Sequence, residues 1–222
     1  MTFRTPAQML REQMATLAPE RFVVPRMLAM FAASIATADD DAMSAALRLG
    51  QKHLIDRQCH YEVVLQSYLF LGFPRMLLAV DLLNREIPVT RQHHSLEAVG
   101  DEELSSRHTD GLALCREIYG AAFEPLRARI ESSAPEVFQW MIMEGYGKVM
   151  SRPGLGKIER EIASVAFLIM DGYEQQLYSH MRGALNLGAS TELLSTVIDD
   201  VGPAGGRGGD AARRILQKIG VK

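Results

Sequence analysis

Apolar residues recur along almost the whole of this 222-residue chain with a period near 3.6 residues, the spacing of one face of an α-helix. We find no convincing segment with the alternation of apolar and polar residues that marks a half-buried strand. We therefore expect an all-α fold. The pattern predicts helices over residues 5–17, 25–37, 41–54, 59–71, 74–84, 102–118, 120–131, 136–149, 157–170, 172–187, 191–201 and 209–219.

Composition excludes several classes of protein. Hydrophobic residues make up 47% of the sequence, enough to bury a substantial core. A net charge of −3 provides no basic surface for nucleic acid, so we expect no nucleic-acid partner. Apolar stretches such as 165–170 are short for a bilayer, and the N-terminal segment is polar. We expect a cytoplasmic protein with no membrane partner, and its two cysteines indicate neither a zinc site nor a disulfide.

The predicted helices fall into two series with the same order. Residues 157–219 repeat the order of helices and turns in residues 25–84 at an offset of 132 positions. Few residues are identical at this offset, so the repeat is a matched pattern and not a demonstrated duplication. The predicted organisation is an N-terminal helix (1–21), a first half (22–84), a linker loop with connecting helices (85–150) and a second half (151–222).

Local signals mark the borders of the predicted helix 172–187. Asp171 and Glu174 have the spacing of a capping box, and Gly188 follows the last turn where a glycine often ends a helix. Ser190 is the expected N-cap of the next helix. These signals predict two consecutive helices joined by a short turn.

Glu161 lies at the edge of the apolar stripe of helix 157–170, next to Ile158, while Arg160 and Ser164 lie opposite that stripe. A carboxylate at such an edge can take part in proton transfer. It can equally be a structural glutamate whose head reaches water or pairs with a neighbouring helix. Position alone leaves both interpretations open.

His180 raises the same question on helix 172–187. Together with Tyr173 and Gln176 it follows i, i+3, i+7 spacing along the edge nearest the apolar stripe. One interpretation is a core histidine with a satisfied hydrogen bond, and the other is a catalytic imidazole. Two titratable groups on consecutive helices favour a site more than either group alone.

Residues 145–198 resemble the carboxymuconolactone decarboxylase family, which includes the alkylhydroperoxidase D proteins. The resemblance depends on the sequence SRPGL (151–155), on Arg160–Glu161, and on the motif H-x-R-G-A-L-x-x-G-A-S from His180 to Ser190. It implies two similar helical halves of the alkylhydroperoxidase D-like type, packed as one unit.

The peroxidase members of this family carry a glutamate, a C-x-x-C pair and a histidine four residues after the second cysteine. Glu161 and His180 match this pattern, whereas Tyr173 and Gln176 occupy the cysteine positions. Thiol peroxidase chemistry needs an activated thiolate and a resolving thiol. The sequence therefore disfavours that activity.

The first half resembles the family template more loosely. Residues 65–77 look like the family helix that ends in a Gly-x-Pro turn, with these residues in register: Gln66, Phe70, Gly72 and Pro74. At the glutamate and histidine positions this half has Ala29 and Arg48. We infer one composite site per chain, with Glu161 and His180 supplied by the second half.

The decarboxylase branch works without the cysteine pair, and its resemblance implies a lyase that needs no cofactor or metal. Such a reaction removes carbon dioxide from a carboxylated unsaturated lactone and moves a proton along a conjugated system. We expect His180 to donate or shuttle the proton and Glu161 to orient the imidazole. Tyr173 and Gln176 are expected to bind the substrate, and Arg152 to hold a carboxylate.

Two functions of different classes remain open at this stage. One is a lyase acting on a small carboxylated or lactone-like metabolite. The other is a non-catalytic protein of the same fold that binds a small ligand or only assembles. Glu161 and His180 within hydrogen-bond reach, in a pocket, would favour the first. Relatives form rings of helical subunits, which implies a homo-oligomer.

Three further residues are weaker candidates. Cys59 begins a first-half helix, where the helix N-terminus favours a lowered thiol pKa, but no second cysteine lies nearby. A structural thiol is the simpler interpretation. His93 and His94 lie in the polar stretch 85–103 without metal-ligand spacing, which predicts a solvated pair.

Overall fold

The computed structural model describes residues 3–89 and 100–220, and these ranges contain helices and no strand. The all-α prediction is confirmed; His93 and His94 lie outside the described residues. The α-helices are α1 (Pro6–Thr16), α2 (Val23–Thr37), α3 (Asp40–Lys52), α4 (Arg57–Glu86), α5 (Asp101–Tyr119), α6 (Phe123–Glu131), α7 (Pro135–Trp140), α8 (Lys157–Asp171), α9 (Glu174–Asn186), α10 (Thr191–Gly205) and α11 (Arg207–Ile219). A 3₁₀ turn (Gly120–Ala122) precedes α6, and a π-helix (Met141–Met150) follows α7.

The chain divides into two compact units. The first comprises Met1–Pro88 with Gly154–Lys222, and the second comprises Val89–Pro153. Within the second unit α5 packs closely against the π-helix, because Gly111 and Gly147 have no side chains at the contact. A Cβ on Gly111 would collide with the backbone at Ile142. The first unit carries both repeated halves.

The repeated halves have the same helix boundaries. Helices α2, α3 and α4 begin 134 positions before α8, α9 and α10, and α2 and α3 also end 134 positions before α8 and α9. Positive φ angles recur at the same distance in the sequence, in the pairs Ala38 and Gly172, Leu54 and Gly188, and Gly72 and Gly206. Two similar helical halves packed as one unit are therefore confirmed.

In the structure the two halves are offset by 134 positions, so the offset of 132 predicted from the sequence is wrong by two. Glycine is the usual residue at a positive φ, but Ala38 (φ 53°) and Leu54 (φ 59°) take that conformation here. The first-half turns therefore lack the glycines that would have aligned them with Gly172 and Gly188.

Helix α4 spans Arg57–Glu86 but consists of two helical segments joined by a kink, which agrees with the two helices predicted over 59–71 and 74–84. Gly72 has non-helical angles (φ 76°, ψ 168°), and Pro74 follows it. By length and composition alone α4 could cross a membrane, a test that core helices also pass. Its first part buries the polar residues Glu62 and Gln66 within the first unit.

The borders of α9 and α10 agree with the sequence in part. Gly188 (φ 97°) follows α9 as predicted, and the Ser190 hydroxyl accepts a hydrogen bond from the Leu193 N–H at 3.0 Å. The predicted capping box is wrong. Asp171 is instead the last residue of α8, and Tyr173 precedes α9 without a side-chain capping bond. The αL residue Gly172 separates the two helices, which leaves no room for the box.

Glycines also allow α11 to pack against α8. A Cβ on Gly208 would collide with the carbonyl oxygen of Ile169, a backbone atom that cannot rotate away. We expect Gly208→Ala to lower the free energy of unfolding by at least about 2 kcal/mol, because the helices must separate. Gln217→Ala, at an exposed position of the same helix, should change it by less than about 0.5 kcal/mol. Urea unfolding measures both values.

His60 is a fully buried imidazole near the start of α4. Its Nδ1 lies 3.2 Å from the Asp56 carbonyl oxygen, its ring meets Phe31 edge-on at 5.2 Å, and Gly50 leaves space for it. Burial lowers the pKa of His60, and the Arg57 charge lowers it further. The Asp56 carbonyl and carboxylate oppose this shift. The imidazole therefore stays neutral to a lower pH than in the unfolded chain.

This burial predicts a pH dependence of stability. Below about pH 6.5 the unfolded chain binds a proton at His60 that the folded protein does not, so stability falls as the pH is lowered. We expect His60→Leu to reduce this loss, which is up to about 1.4 kcal/mol per pH unit for one group. Urea unfolding between pH 7 and pH 5 tests it, with exposed His108→Gln as control. Equal pH slopes in His60→Leu and the wild type would contradict it.

Candidate acid–base site

Two residues that the sequence singled out are in contact. Glu161 Oε2 on α8 lies 2.9 Å from His180 Nδ1 on α9, across 19 positions of sequence. The turn at Gly172 reverses the chain, so two consecutive helices bring these side chains together. Glu161 is fully buried, and the His180 side chain is 13% exposed. The pair is thus a buried carboxylate that holds an imidazole at the edge of solvent.

The contact sets the roles of the imidazole nitrogens. A carboxylate only accepts hydrogen bonds, so Nδ1–H of His180 donates to Glu161. In the neutral ring Nε2 then carries the lone pair and can accept a proton. The Phe70 ring meets the His180 ring edge-on at a centroid distance of 5.5 Å and restricts its orientation. This is the arrangement of an oriented general base.

The first half contributes side chains that pack beside the Glu161–His180 pair. Glu62, Gln66 and Phe70 follow one another at four-residue spacing on α4, and this face packs against α8. Gln66 Nε2 donates to the Arg160 carbonyl at 2.8 Å and to the Ser164 hydroxyl at 2.9 Å. One turn later, Phe70 stacks on Phe167 of α8 at 5.4 Å. Side chains of both halves therefore meet around Glu161 and His180.

Arg160 and Ser164 are fully buried, whereas the helical pattern of α8 placed them opposite its apolar stripe. Arg160 Nη2 lies 2.9 Å from Glu62 Oε2, and neither side chain is exposed. The physical reason is that α4 covers this side of α8, so the helix is enclosed on nearly all sides. A buried ion pair crosses the contact between the halves.

Three more residues were predicted to belong to the site. Tyr173 is 59% exposed, and Gln176 is also exposed; neither makes a side-chain hydrogen bond within the described ranges. Arg152 belongs to the second unit, where its backbone N–H donates to the Val149 carbonyl at 3.2 Å. Substrate binding by these three residues stays a prediction.

The first half contains no equivalent acid–base pair. In the structural register the counterparts of Glu161 and His180 are Met27 and Ala46, so the predicted counterparts Ala29 and Arg48 are wrong by two positions. Arg26, which precedes Met27 in sequence, forms a bidentate ion pair with Asp200. Its Nε donates to Oδ2 at 2.7 Å and its Nη2 donates to Oδ1 at 3.0 Å. Neither Met27 nor Ala46 can act as an acid or a base, which is consistent with the inference of a single composite site.

Cys59 does not have the character of a reactive thiol. Burial raises its pKa, and the carboxylates of Asp56, Glu159 and Glu62 raise it further. The lowering expected from the helix N-terminus is therefore wrong, because desolvation and negative neighbours outweigh it. In the described ranges no group of three or more metal-ligating side chains is present either.

Sequence reasoning missed the polar contacts between the halves. Glu62 and Arg160 are 98 positions apart, and nothing local in either helix indicates that they pair. A signal was available for Gln66, because it occupies a polar position within the apolar segment 65–77 that resembled the family helix. A buried polar residue in such a segment indicates a partner on another helix.

The fold and the site thus define an all-helical class of protein with a buried carboxylate–imidazole pair. Residues 136–218 match the model of the Carboxymuconolactone decarboxylase family. The matched segment carries Glu161 and His180, and the match confirms the resemblance inferred from the sequence for that segment.

A curated relative gives a more distant comparison. "Peroxisomal protein 2" of Schizosaccharomyces pombe (strain 972 / ATCC 24843) is 26% identical over 133 residues, which cover 59% of this chain and 61% of that protein. The chain thus spans about three fifths of the length of the curated relative it matches.

The buried ion pair can be tested by double mutation. Glu62→Leu leaves the Arg160 charge buried without this carboxylate, and we expect a loss of about 3–5 kcal/mol in the free energy of unfolding. Glu62→Leu combined with Arg160→Met removes both charges and should recover most of that loss. Urea unfolding of both single variants and the double variant measures the coupling; additive effects would contradict the prediction.

Proposed function

We propose that this protein is a cofactor-free lyase that acts on a small carboxylated or lactone-like metabolite by acid–base chemistry at His180. The observation that carries this proposal is the 2.9 Å contact between His180 Nδ1 and the fully buried Glu161 carboxylate. The match of residues 136–218 to the Carboxymuconolactone decarboxylase family model supports the reaction class. The absence of cysteines at Tyr173 and Gln176 argues against a thiol peroxidase.

In the proposed reaction the bond between the substrate and its carboxylate carbon breaks. Its electron pair enters the conjugated system of the substrate, and carbon dioxide leaves. The imidazolium of His180 then gives its Nε2 proton to the resulting carbanion and recovers a proton from solvent. Glu161 stabilises the imidazolium and holds the ring in one orientation. The 13% exposure of His180 leaves a route for that exchange.

Three further residues have proposed roles in binding the substrate. Gln176 precedes His180 by one turn of α9, Tyr173 directly precedes that helix, and their exposed side chains are free to contact a ligand. Arg152 is proposed to bind the substrate carboxylate, as its position in the family motif suggests. We also propose a cytoplasmic location, which agrees with the two free thiols.

A non-catalytic, assembling protein is the second candidate, and one observation favours it. Large apolar side chains near the kink of α4 are exposed, among them Phe73 (61%) and Leu77 (56%). Exposed apolar groups of this kind are typical of contact surfaces. We propose a homo-oligomer in either case, and the two candidates differ in whether His180 turns over a substrate.

Replacement of His180 provides the test. We expect His180→Gln to lower kcat at least 100-fold with carboxymuconolactone as substrate, because general acid–base catalysis contributes about 10²–10⁴ to the rate. Glu161→Gln should lower kcat as well, since the neutral amide stabilises the imidazolium less. Release of carbon dioxide measures turnover.

Gln175→Ala, at an exposed position of α9, is the matched control and should keep the wild-type rate. Circular dichroism establishes that each variant keeps its helices. Turnover by the wild type that persists in His180→Gln would refute the catalytic role. A folded wild type without turnover would favour the non-catalytic candidate.

A further inference from the structure

Gln66 is a buried amide whose nitrogen makes hydrogen bonds in the structure but whose carbonyl oxygen makes none within the described residues. The side chain is fully buried, and its Nε2 donates to the Arg160 carbonyl and the Ser164 hydroxyl. Its carbonyl oxygen Oε1 has no hydrogen-bond partner within residues 3–89 and 100–220. An unsatisfied buried acceptor is unfavourable by about 1–3 kcal/mol, so such groups in native proteins usually have a partner.

The second unsatisfied acceptor belongs to the acid–base pair itself. Glu161 uses Oε2 to accept from His180, while its buried Oε1 has no partner in the described part of the chain. Gln66 contacts Ser164, which is three residues after Glu161 on the same helix. Gln66 Oε1 and Glu161 Oε1 are thus two buried acceptors without a donor. Glu161 lies on α8, and Gln66 contacts the same part of that helix. The partner that satisfies such a pair must donate hydrogen bonds.

Aromatic rings adjoin these acceptors. Phe70, one turn after Gln66, stacks on Phe167 and meets His180 edge-on. A flat, unsaturated ring is the shape that contacts such side chains well. A carboxylate cannot satisfy Gln66 Oε1 or Glu161 Oε1, because it only accepts hydrogen bonds.

We infer that Gln66 is a ligand-binding residue that, with Glu161, accepts hydrogen bonds from a hydroxyl on a planar unsaturated ring. This inference rests on the proposed function and specifies its substrate class, a ring with an enol or phenol hydroxyl. The hydroxyl end lies inward against Gln66 and Glu161, and any carboxylate of the substrate lies away from Glu161. Gln66 is then a determinant of specificity contributed by the first half.

Binding of two probes of similar shape tests the inference without any turnover. Phenol carries the donor hydroxyl, and anisole replaces it with a methyl ether that only accepts. We expect phenol to bind the wild type at least tenfold more tightly than anisole, since burying acceptors without a donor is unfavourable. Titration in solution, followed by the ring carbon resonance of His180 in protein with ¹³C-labelled histidine, gives both affinities. The variant His180→Gln assigns the resonance.

Variants identify the residue responsible. Gln66→Leu should weaken phenol at least tenfold and leave anisole unchanged. Gln175→Ala, at an exposed position of α9, is the control and should bind phenol like the wild type. Equal affinity of the wild type for phenol and anisole would overturn the inference. Wild-type affinity for phenol in folded Gln66→Leu would also overturn it.

If Gln66→Leu does not fold, the comparison of phenol with anisole in the wild type still tests whether the site prefers a hydroxyl donor. The same experiments separate this inference from the proposed function. Preferred binding of phenol without turnover of carboxymuconolactone would sustain the hydroxyl site and refute the lyase. Turnover without that preference would sustain the lyase and refute the hydroxyl site.

Discussion

The contact between α4 of the first half and α8 of the second is the interaction on which the rest of the structure depends. One face of α4 places Glu62, Gln66 and Phe70 in sequence along α8. Through this contact Arg160 and Ser164 are removed from solvent, and His180 gains an aromatic neighbour. Without α4 the polar side of α8 would face water, and the pair formed by Glu161 and His180 would be open on that side.

The polar groups at this contact favour one arrangement of the halves over others. A buried ion pair such as Glu62–Arg160 contributes little net stability, since desolvation offsets most of the attraction. Any packing that separates the partners leaves a buried charge alone, which is far less stable. Arg26 of α2 and Asp200 of α10 also link the halves. The halves share a fold, but only the second supplies an acid–base pair.

Much of the local structure follows from the sequence. The 3.6-residue period is a property of each segment, so the all-α fold, the turn at Gly188 and the cap at Ser190 were predictable. The pairing of Glu161 with His180 was within reach because consecutive helices joined by a short turn must pack side by side. The register of the repeat was not, since Ala38 and Leu54 adopt positive φ angles without being glycine.

The sequence by itself determined the helices, their order and the two side chains of the acid–base pair. Only the tertiary structure decided that Arg160 is buried, that Glu62 is its partner and that Gln66 presents an unfilled acceptor. The physical reason is that periodicity identifies the apolar stripe of a helix but not what covers its other faces. That depends on a helix almost one hundred residues away, whose approach converts the expected solvent side of α8 into the interior of the site.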